Sequence, residues 1–148
     1  MKTATYTLSI EKLEKRLGKT KFGVVSQHDN IRTSCVYRVS GKKVLTYNVV
    51  IFADDGVALD KQVHTKIIKG KPLGKTIRSS GVPHQRAEFP VHKIKMKAGL
   101  GFIFATSKST CLTRQVDYYV RGRLYASIHE YYNPDFTAIT DKRVIDQS

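Results

Sequence analysis

The chain has 148 residues, 41% of them hydrophobic, and carries a formal net charge of +14. This length and composition predict one folded domain with a hydrophobic core and exclude a disordered chain. No apolar run approaches the roughly 18 residues of a membrane-spanning helix, and residues 1–6 lack the apolar core of a signal peptide. We therefore expect no membrane partner. The excess of basic residues favours a polyanionic partner, most commonly nucleic acid.

The positive charge lies outside the C-terminal part of the chain. Residues 111–148 contain five basic and five acidic side chains, so residues 1–110 carry the whole net charge. This division predicts a layered protein with one cationic side toward a polyanion and one neutral side toward solvent.

The first 53 residues predict mainly β-strands. Residues 3–10 alternate threonine or serine with apolar side chains, as a strand does. Residues 11–17 fit either a short helix or an extension of that strand, and residues 22–25 predict a second strand. Residues 31–40 and 43–53 alternate around Gly41-Lys42, a tight-turn signal, and predict a β-hairpin.

The polar side chains of this hairpin are Arg, Lys, Ser, Thr and Asn, with no carboxylate from Asn30 to Ala53. These are the donors that proteins direct toward phosphates and bases. Plain solvation of an exposed strand face is the alternative interpretation. We favour contact with nucleic acid because acidic residues are absent.

Residues 57–97 show the least regular pattern and are the most basic. Glycines and prolines recur through them, which predicts a long connection. Within it, residues 91–97 alternate and predict a strand with Lys93, Lys95 and Lys97 along one side. Such a strand suits phosphate contacts, although a solubilising edge strand would have the same pattern.

The C-terminal part predicts a strand followed by a helix. Residues 100–106 form an apolar, strand-like run, and from Leu112 to Ile128 apolar residues recur at the spacing of one helix face. Gly122 would then lie in mid-helix, where it costs about 1 kcal/mol relative to alanine. Asn133-Pro134 would end the helix because proline has no amide hydrogen. Residues 136–139 predict a short helical tail.

The sequence contains no recognisable catalytic motif. Its five histidines lack metal-ligand spacing, and no Gly-rich phosphate loop or Ser-His-Asp signature is present. Cys35 and Cys111 fit two buried thiols better than a disulfide or a site. We therefore expect a protein that is not an enzyme, with no metal and no cofactor.

Two stretches resemble the coat protein of the small single-stranded RNA phages, the leviviruses. At the C-terminal end the likeness lies in Ile103-Phe104-Ala105-Thr106, a polar link to Cys111, the predicted helix, and Asn133-Pro134 followed by Thr137-Ala138-Ile139. In that family the last strand ends Ile-Phe-Ala-Thr, and Asn-Pro-x-x-Ser-Ala-Ile leads into a second short helix. The strands at residues 32–40 and 43–52 are similar to the family's RNA-binding hairpin.

The resemblance implies an α+β fold: an antiparallel β-sheet, made of an N-terminal hairpin plus a meander, with a C-terminal helix and a short second helix packing on a dimer partner. The chain would be a single coat-protein domain over residues 1–148, mostly β over 1–107 and helical over 109–148. It would be a structural capsid protein of the bacteriophage virion, present in the host cytoplasm during assembly. Obligate homodimers would form an icosahedral shell around the single-stranded RNA genome, with translational repression through an RNA hairpin as a further role.

In this interpretation the sheet binds RNA and the apolar face of the helix forms the dimer interface. The chain departs from the family pattern at Ile94 and Met96, where polar residues are expected. The alternative is a non-shell protein that binds single-stranded nucleic acid nonspecifically by stacking on Tyr37, Tyr47 and Phe52. The expected RNA-binding residues are Arg32, Ser34, Arg38, Ser40, Lys43, Thr46, Asn48, Lys93, Lys95 and Lys97. The expected dimer interface consists of Leu112, Val116, Tyr119, Val120, Leu124 and Ile128.

Overall fold

The computed structural model describes residues 14–15, 17–53 and 60–136. The strand predicted over residues 3–10 and the tail beyond residue 136 lie outside these ranges. Residues 14, 15 and 17 are helical, which favours the helical alternative for that segment. The elements that follow are β1 (Thr20–His28), β2 (Ile31–Arg38), β3 (Val44–Phe52), α1 (Lys61–Ile68), α2 (Leu73–Ser80), β4 (His84–Glu88), β5 (His92–Lys95), α3 (Ala98–Phe104), β6 (Thr110–Val120) and β7 (Arg123–Tyr132).

The seven strands of the described ranges form one antiparallel sheet in the order β1-β2-β3-β7-β6-β4. β5 pairs with the first half of β6, on the edge whose second half pairs with β4. The α+β class and the mostly antiparallel sheet are therefore confirmed. The predicted hairpin is confirmed as β2 and β3, and the strands expected at residues 22–25 and 91–97 correspond to β1 and β5.

The basic connection after β3 is more regular than its composition suggested. It contains α1, whose first turn is capped by the Asp60 side chain accepting from the Gln62 amide at 2.8 Å, and α2. Ile67, Leu73 and Ile77 from these helices are buried on one face of the sheet. Leu73 and Ile77 lie four residues apart in α2, as on one face of a helix. The lysines around them made this apolar face hard to recognise in the sequence. The prediction of an irregular connection is wrong here.

The strand predicted over residues 100–106 is wrong, because residues 100–104 belong to α3 and residues 105–106 follow its end. The apolar run does not alternate in burial as a strand would: Phe104 is fully buried, whereas Phe102 is 88% exposed. α3 ends at Ala105 in the left-handed conformation, with φ of 51°. None of the helices in the described ranges is long and apolar enough to cross a membrane.

The amphipathic helix predicted from Leu112 to Ile128 is wrong, because β6 and β7 form a hairpin there. Apolar residues four positions apart share one face of a helix, but they also share one face of a strand. The pattern of Leu112, Val116 and Val120 is therefore ambiguous. The turn between the strands is Arg121-Gly122, with φ of 52° and 76°, the positive values that a type I′ hairpin turn requires.

The helix expected over residues 109–148 is therefore not present in residues 110–132. The helix face that was predicted to pack on a dimer partner does not exist there either. Its residues lie in the sheet instead. Leu112, Val116 and Val120 are buried within this chain, whereas Tyr119, Leu124 and Ile128 are partly buried. Residues 110–132 therefore present no apolar helix face that a second subunit would have to cover, and an obligate dimer is not needed to bury one.

Replacing Gly122 with alanine distinguishes the hairpin from the helix by the sign of the effect. In the turn, a Cβ at φ of 76° should destabilise the fold by about 1–2 kcal/mol. In a mid-helix position the same change would stabilise it by about 1 kcal/mol. Gly101→Ala, within α3 and with open space around its Cβ, is the matched control and should not destabilise. Urea unfolding monitored by circular dichroism measures both changes.

Candidate functional site

A row of polar side chains crosses the inner face of the sheet, the face that α1 and α2 cover. The strand register places Ser34, Asn48, Glu130 and Arg114 side by side on β2, β3, β7 and β6. All four are buried, with at most 8% of each residue exposed. Burying polar groups costs free energy unless they have hydrogen-bond partners. Such a row within an apolar core therefore indicates a candidate functional site.

Arg114 and Glu130 form the fixed end of this row. The Arg114 Nε and Nη2 atoms donate to Glu130 Oε1 at 3.1 and 2.9 Å, and Nη1 donates to Glu88 Oε2 at 3.2 Å. The Tyr132 hydroxyl also donates to Glu130 Oε1, at 2.9 Å. Burial, together with the neighbouring Glu130 carboxylate, raises the pKa of Tyr132 well above its usual range. Tyr132 therefore remains a neutral donor, and Glu130 is held rigidly.

Arg32 is a buried cation next to the row, with only 1% of its surface exposed. Its Nη1 donates to the carbonyl oxygens of Ile67 at 2.8 Å and Lys71 at 3.1 Å. Its guanidinium lies between the rings of Phe22 and Phe52, 5.5 and 5.8 Å from their centroids. Burial lowers the pKa of Arg32 to about 10, which still leaves it charged at neutral pH. No carboxylate within residues 17–53 and 60–136 forms an ion pair with Arg32, and its Nε has no hydrogen-bond partner there.

A cavity of about 90 Å³ lies between the polar row and the beginning of α2. Asn48 donates through Nδ2 to Thr46 Oγ1 at 3.2 Å, but its Oδ1 is buried and has no hydrogen-bond partner among the described residues. Pro72 precedes α2 and supplies no side-chain cap, so the first amides of the helix keep their hydrogens available. Residues that line the cavity include Arg32, Ser34, Thr46, Asn48, Glu130, Leu73, Gly74 and Lys75.

These groups are suited to holding a small polar anion. The Arg32 guanidinium and the α2 amides supply positive charge and donors, whereas Asn48 Oδ1 accepts a hydrogen bond. The volume is below the roughly 150 Å³ of a cavity that holds benzene, so only a small group can enter. Within the described part of the chain, no three His, Cys, Asp or Glu side chains lie close enough together to hold a metal ion.

The structure brings together four of the ten residues predicted to bind RNA and separates the others. Arg32, Ser34, Thr46 and Asn48 lie around this cavity, buried rather than exposed. The remaining six lie elsewhere, so the ten do not form one open face. Arg38 is partly buried at the end of β2, Ser40 is exposed, Lys43 contacts Asp135 at 2.8 Å, and Lys93, Lys95 and Lys97 are exposed on and after β5.

Sequence reasoning missed Arg114, Glu130 and the beginning of α2. The first two were assigned to a helix, where residues 114 and 130 would not face the hairpin. Their even-numbered positions, shared with Leu112, Val116, Ile128 and Tyr132, are the signal that an alternating-strand interpretation would have used. Cys35 and Cys111 are both buried thiols, as predicted.

No family model matches the chain, and no curated protein matches its sequence. Solved structures do match its fold. The C-terminal domain of the histidine utilization repressor from Pseudomonas syringae pv. tomato has a TM-score of 0.56 at 9% identity, with 79% of this chain and 93% of that chain covered. The ligand-binding domain of a GntR-family transcriptional regulator from Bordetella bronchiseptica has a TM-score of 0.55 at 9% identity, with 78% and 83% covered. PhnF from Mycobacterium smegmatis has a TM-score of 0.61 at 10% identity, with 90% and 67% covered.

The chain therefore has the fold of regulator domains of the GntR type, and the resemblance to levivirus coat proteins is wrong. The capsid function, the viral RNA partner, the shell built from obligate dimers and the location in a virion all depended on that resemblance, and they are corrected with it. Nonspecific binding of single-stranded nucleic acid, the alternative, has no support from these structures either. Of its proposed stacking platforms, Phe52 is only 6% exposed and belongs to the core.

Proposed function

We propose that this chain is a ligand-binding domain that holds a small anionic molecule in the cavity between the sheet and α2. The observation that carries the proposal is Arg32: a buried guanidinium beside a cavity, with no carboxylate partner and no partner for its Nε among the described residues. A buried cation is costly unless an opposite charge accompanies it. The fold supports the proposal, because one structure that shares it is a ligand-binding domain.

The cavity chemistry defines the ligand more closely. An anionic group would lie against Arg32 and the first amides of α2, where charge-assisted hydrogen bonds are strongest. A hydroxyl or amino group on the same molecule would donate to Asn48 Oδ1, which has no partner in the part of the chain that the structure describes. Ligand entry thus gives hydrogen-bond partners to two buried atoms, Arg32 Nε and Asn48 Oδ1, that have none within residues 17–53 and 60–136. A small phosphorylated or carboxylated compound that also carries a hydroxyl fits this description.

We propose binding without catalysis. Among the described residues that line the cavity there is no histidine or cysteine, and Ser34 is the one serine, with no imidazole beside it to activate it. The carboxylate there, Glu130, is already engaged by Arg114 and Tyr132. Such rigid pairing suits recognition better than proton transfer.

Arg32→Met tests the proposal. Inorganic phosphate and small hydroxycarboxylates should raise the melting temperature of the wild-type protein and bind measurably by calorimetry. The substitution removes a charge-assisted hydrogen bond worth about 1.5–3 kcal/mol, so it should weaken binding at least tenfold. Its own effect on stability should be a loss of about 1–3 kcal/mol, because the Ile67 and Lys71 carbonyl oxygens lose the donor that Nη1 supplies. Each anion-dependent shift is therefore measured against the variant's own ligand-free melting temperature.

Arg38→Met is the matched control, an arginine on the same strand outside the cavity. It should retain the anion-dependent rise in melting temperature. If Arg32→Met and wild type respond equally to every anion, the ligand does not lie beside Arg32 and the proposed site is wrong.

A further inference from the structure

A second groove lies on the opposite face of the sheet, under α3. Consecutive strand residues point to opposite faces, so Tyr47 lies on the other side of the sheet from its neighbours Thr46 and Asn48, which line the cavity. Tyr47 and Val49 of β3 and Tyr131 of β7 form the floor of this groove, and Leu100 and Ile103 of α3 form its wall. We call it the α3 groove. Its volume is about 460 Å³.

The α3 groove has the size and lining of a small-molecule site. Ligand pockets typically measure about 300–1,000 Å³ and combine apolar walls with a few polar groups. The five floor and wall residues are all only partly buried. The Tyr47 and Tyr131 rings, 6.5 Å apart and inclined at 43°, leave aromatic surface open to the groove. An apolar occupant would remove this surface from water.

The charge around the groove is positive. Lys95 and Lys97 line one end and are exposed, and no carboxylate occurs among the described residues that line it. Two ammonium groups beside an apolar, tyrosine-lined slot complement a molecule with a flat apolar body and an anionic head. Two inclined aromatic rings favour an aromatic body over an aliphatic chain, because ring pairs gain about 0.5–1.5 kcal/mol beyond their area burial.

We propose that the α3 groove is a second binding site, for a small aromatic carboxylate. The ring lies against Tyr47 and Tyr131, and the carboxylate lies between Lys95 and Lys97. This site does not depend on the proposed cavity ligand, because the two sites share no lining residue and lie on opposite faces of the sheet.

Gly99→Phe provides the sharpest test. Gly99 lines the groove and has open space around its Cβ, so a phenyl side chain can fill the groove without displacing the backbone. Gly101→Phe is the matched control: it lies two residues further along α3, also has open space, and does not line the groove. Calorimetric titration with 2-naphthoate should give saturable one-to-one binding to wild type and to Gly101→Phe. Binding should weaken at least tenfold in Gly99→Phe, a loss of about 1.4 kcal/mol or more.

Four further titrations test the chemistry of the site. Lys95→Ala/Lys97→Ala should weaken 2-naphthoate binding about tenfold, and neutral 2-naphthalenemethanol should bind more weakly than 2-naphthoate. Arg32→Met should leave 2-naphthoate binding unchanged. The proposal is overturned if binding is not saturable, if it survives in Gly99→Phe, or if Arg32→Met removes it, since the last result would place the ligand in the cavity. Tighter binding of dodecanoate than of 2-naphthoate would assign the groove to an aliphatic chain and would also overturn it.

Discussion

Replacing Arg114 with leucine should destabilise the folded protein by about 3–5 kcal/mol, because it leaves a buried carboxylate without its cation. Arg114 is 2% exposed and Glu130 is 8% exposed, and the two share hydrogen bonds of 2.9 and 3.1 Å. The second acidic partner, Glu88, keeps about a third of its side chain in water and can be solvated when Arg114 is lost. Glu130 therefore carries most of the penalty. Urea unfolding at neutral pH measures the loss.

The double variant Arg114→Leu/Glu130→Leu isolates the pair. When both charges are removed, no buried carboxylate is left uncompensated, so a large share of the lost stability should return. The recovery should be incomplete, because the Tyr132 hydroxyl loses its acceptor. Lys95→Leu, a change at an exposed basic residue, should alter stability by no more than about 0.5 kcal/mol. A loss below about 1 kcal/mol in Arg114→Leu would contradict the buried ion pair.

The strands that could be predicted from the sequence are those with one solvent-exposed face. In β3, the buried Thr46, Asn48, Val50 and Phe52 alternate with the more exposed Tyr47, Val49 and Ile51. Gly41-Lys42 separates β3 from β2, so the hairpin could be predicted. β6 is an interior strand, paired with β7 on one side and with β4 and β5 on the other, and its Cys111, Thr113 and Asp117 are as buried as Leu112, Arg114 and Val116. Burial on both faces removes the alternation that identifies a strand. What remained was a spacing of four, which a helix shares.

Of the candidate site, the hairpin residues could be selected from the sequence, whereas their partners on β6 and β7 could not. Arg32, Ser34, Thr46 and Asn48 were among the residues predicted to bind RNA on an outward face, and the structure places all four around the inner cavity instead. These side chains lie on the inner face of the sheet, where Glu130 on β7 and Arg114 on β6 continue the same row. Those partners lie far along the chain from Ser34, and only the strand register brings them together. Composition along a single strand contains no information about that register.

The positive charge that suggested a polyanionic genome has a different arrangement in the folded chain. Arg32 is enclosed beside a cavity, Arg114 is neutralised by Glu130 and Glu88, and Lys43 is paired with Asp135. The Lys43 hydrogen bond lowers the pKa of Asp135 below its usual value. The net charge of +14 already subtracts every carboxylate, so these pairs do not reduce it. They show that Arg32, Arg114 and Lys43 are enclosed or paired and do not lie on an open cationic face.

Asn133→Ala should destabilise the fold by about 3 kcal/mol or more, although asparagine before proline looked like a simple helix stop. Asn133 is fully buried and joins three parts of the chain. Its Nδ2 donates to the carbonyl oxygens of Val44 at 2.7 Å and Phe104 at 3.1 Å, and its Oδ1 accepts from the Asp135 amide at 3.0 Å. Alanine removes the side-chain partner of these three backbone groups, of which the Phe104 carbonyl is buried and the other two are partly buried, and each unsatisfied group costs about 1–3 kcal/mol when it is shielded from water.

Asn30→Ala is the matched control for this change, because Asn30 is exposed and makes a single side-chain hydrogen bond, to the Phe52 carbonyl at 3.3 Å. It should cost at most about 1 kcal/mol. Asn133→Asp should be at least as damaging as Asn133→Ala, since a carboxylate keeps the acceptor but faces the Val44 and Phe104 carbonyls without a donor. Chemical unfolding of the three variants orders them. Equally small losses of unfolding free energy in Asn30→Ala and Asn133→Ala would show that the Asn133 hydrogen bonds do not stabilise the contact between α3 and the end of the sheet.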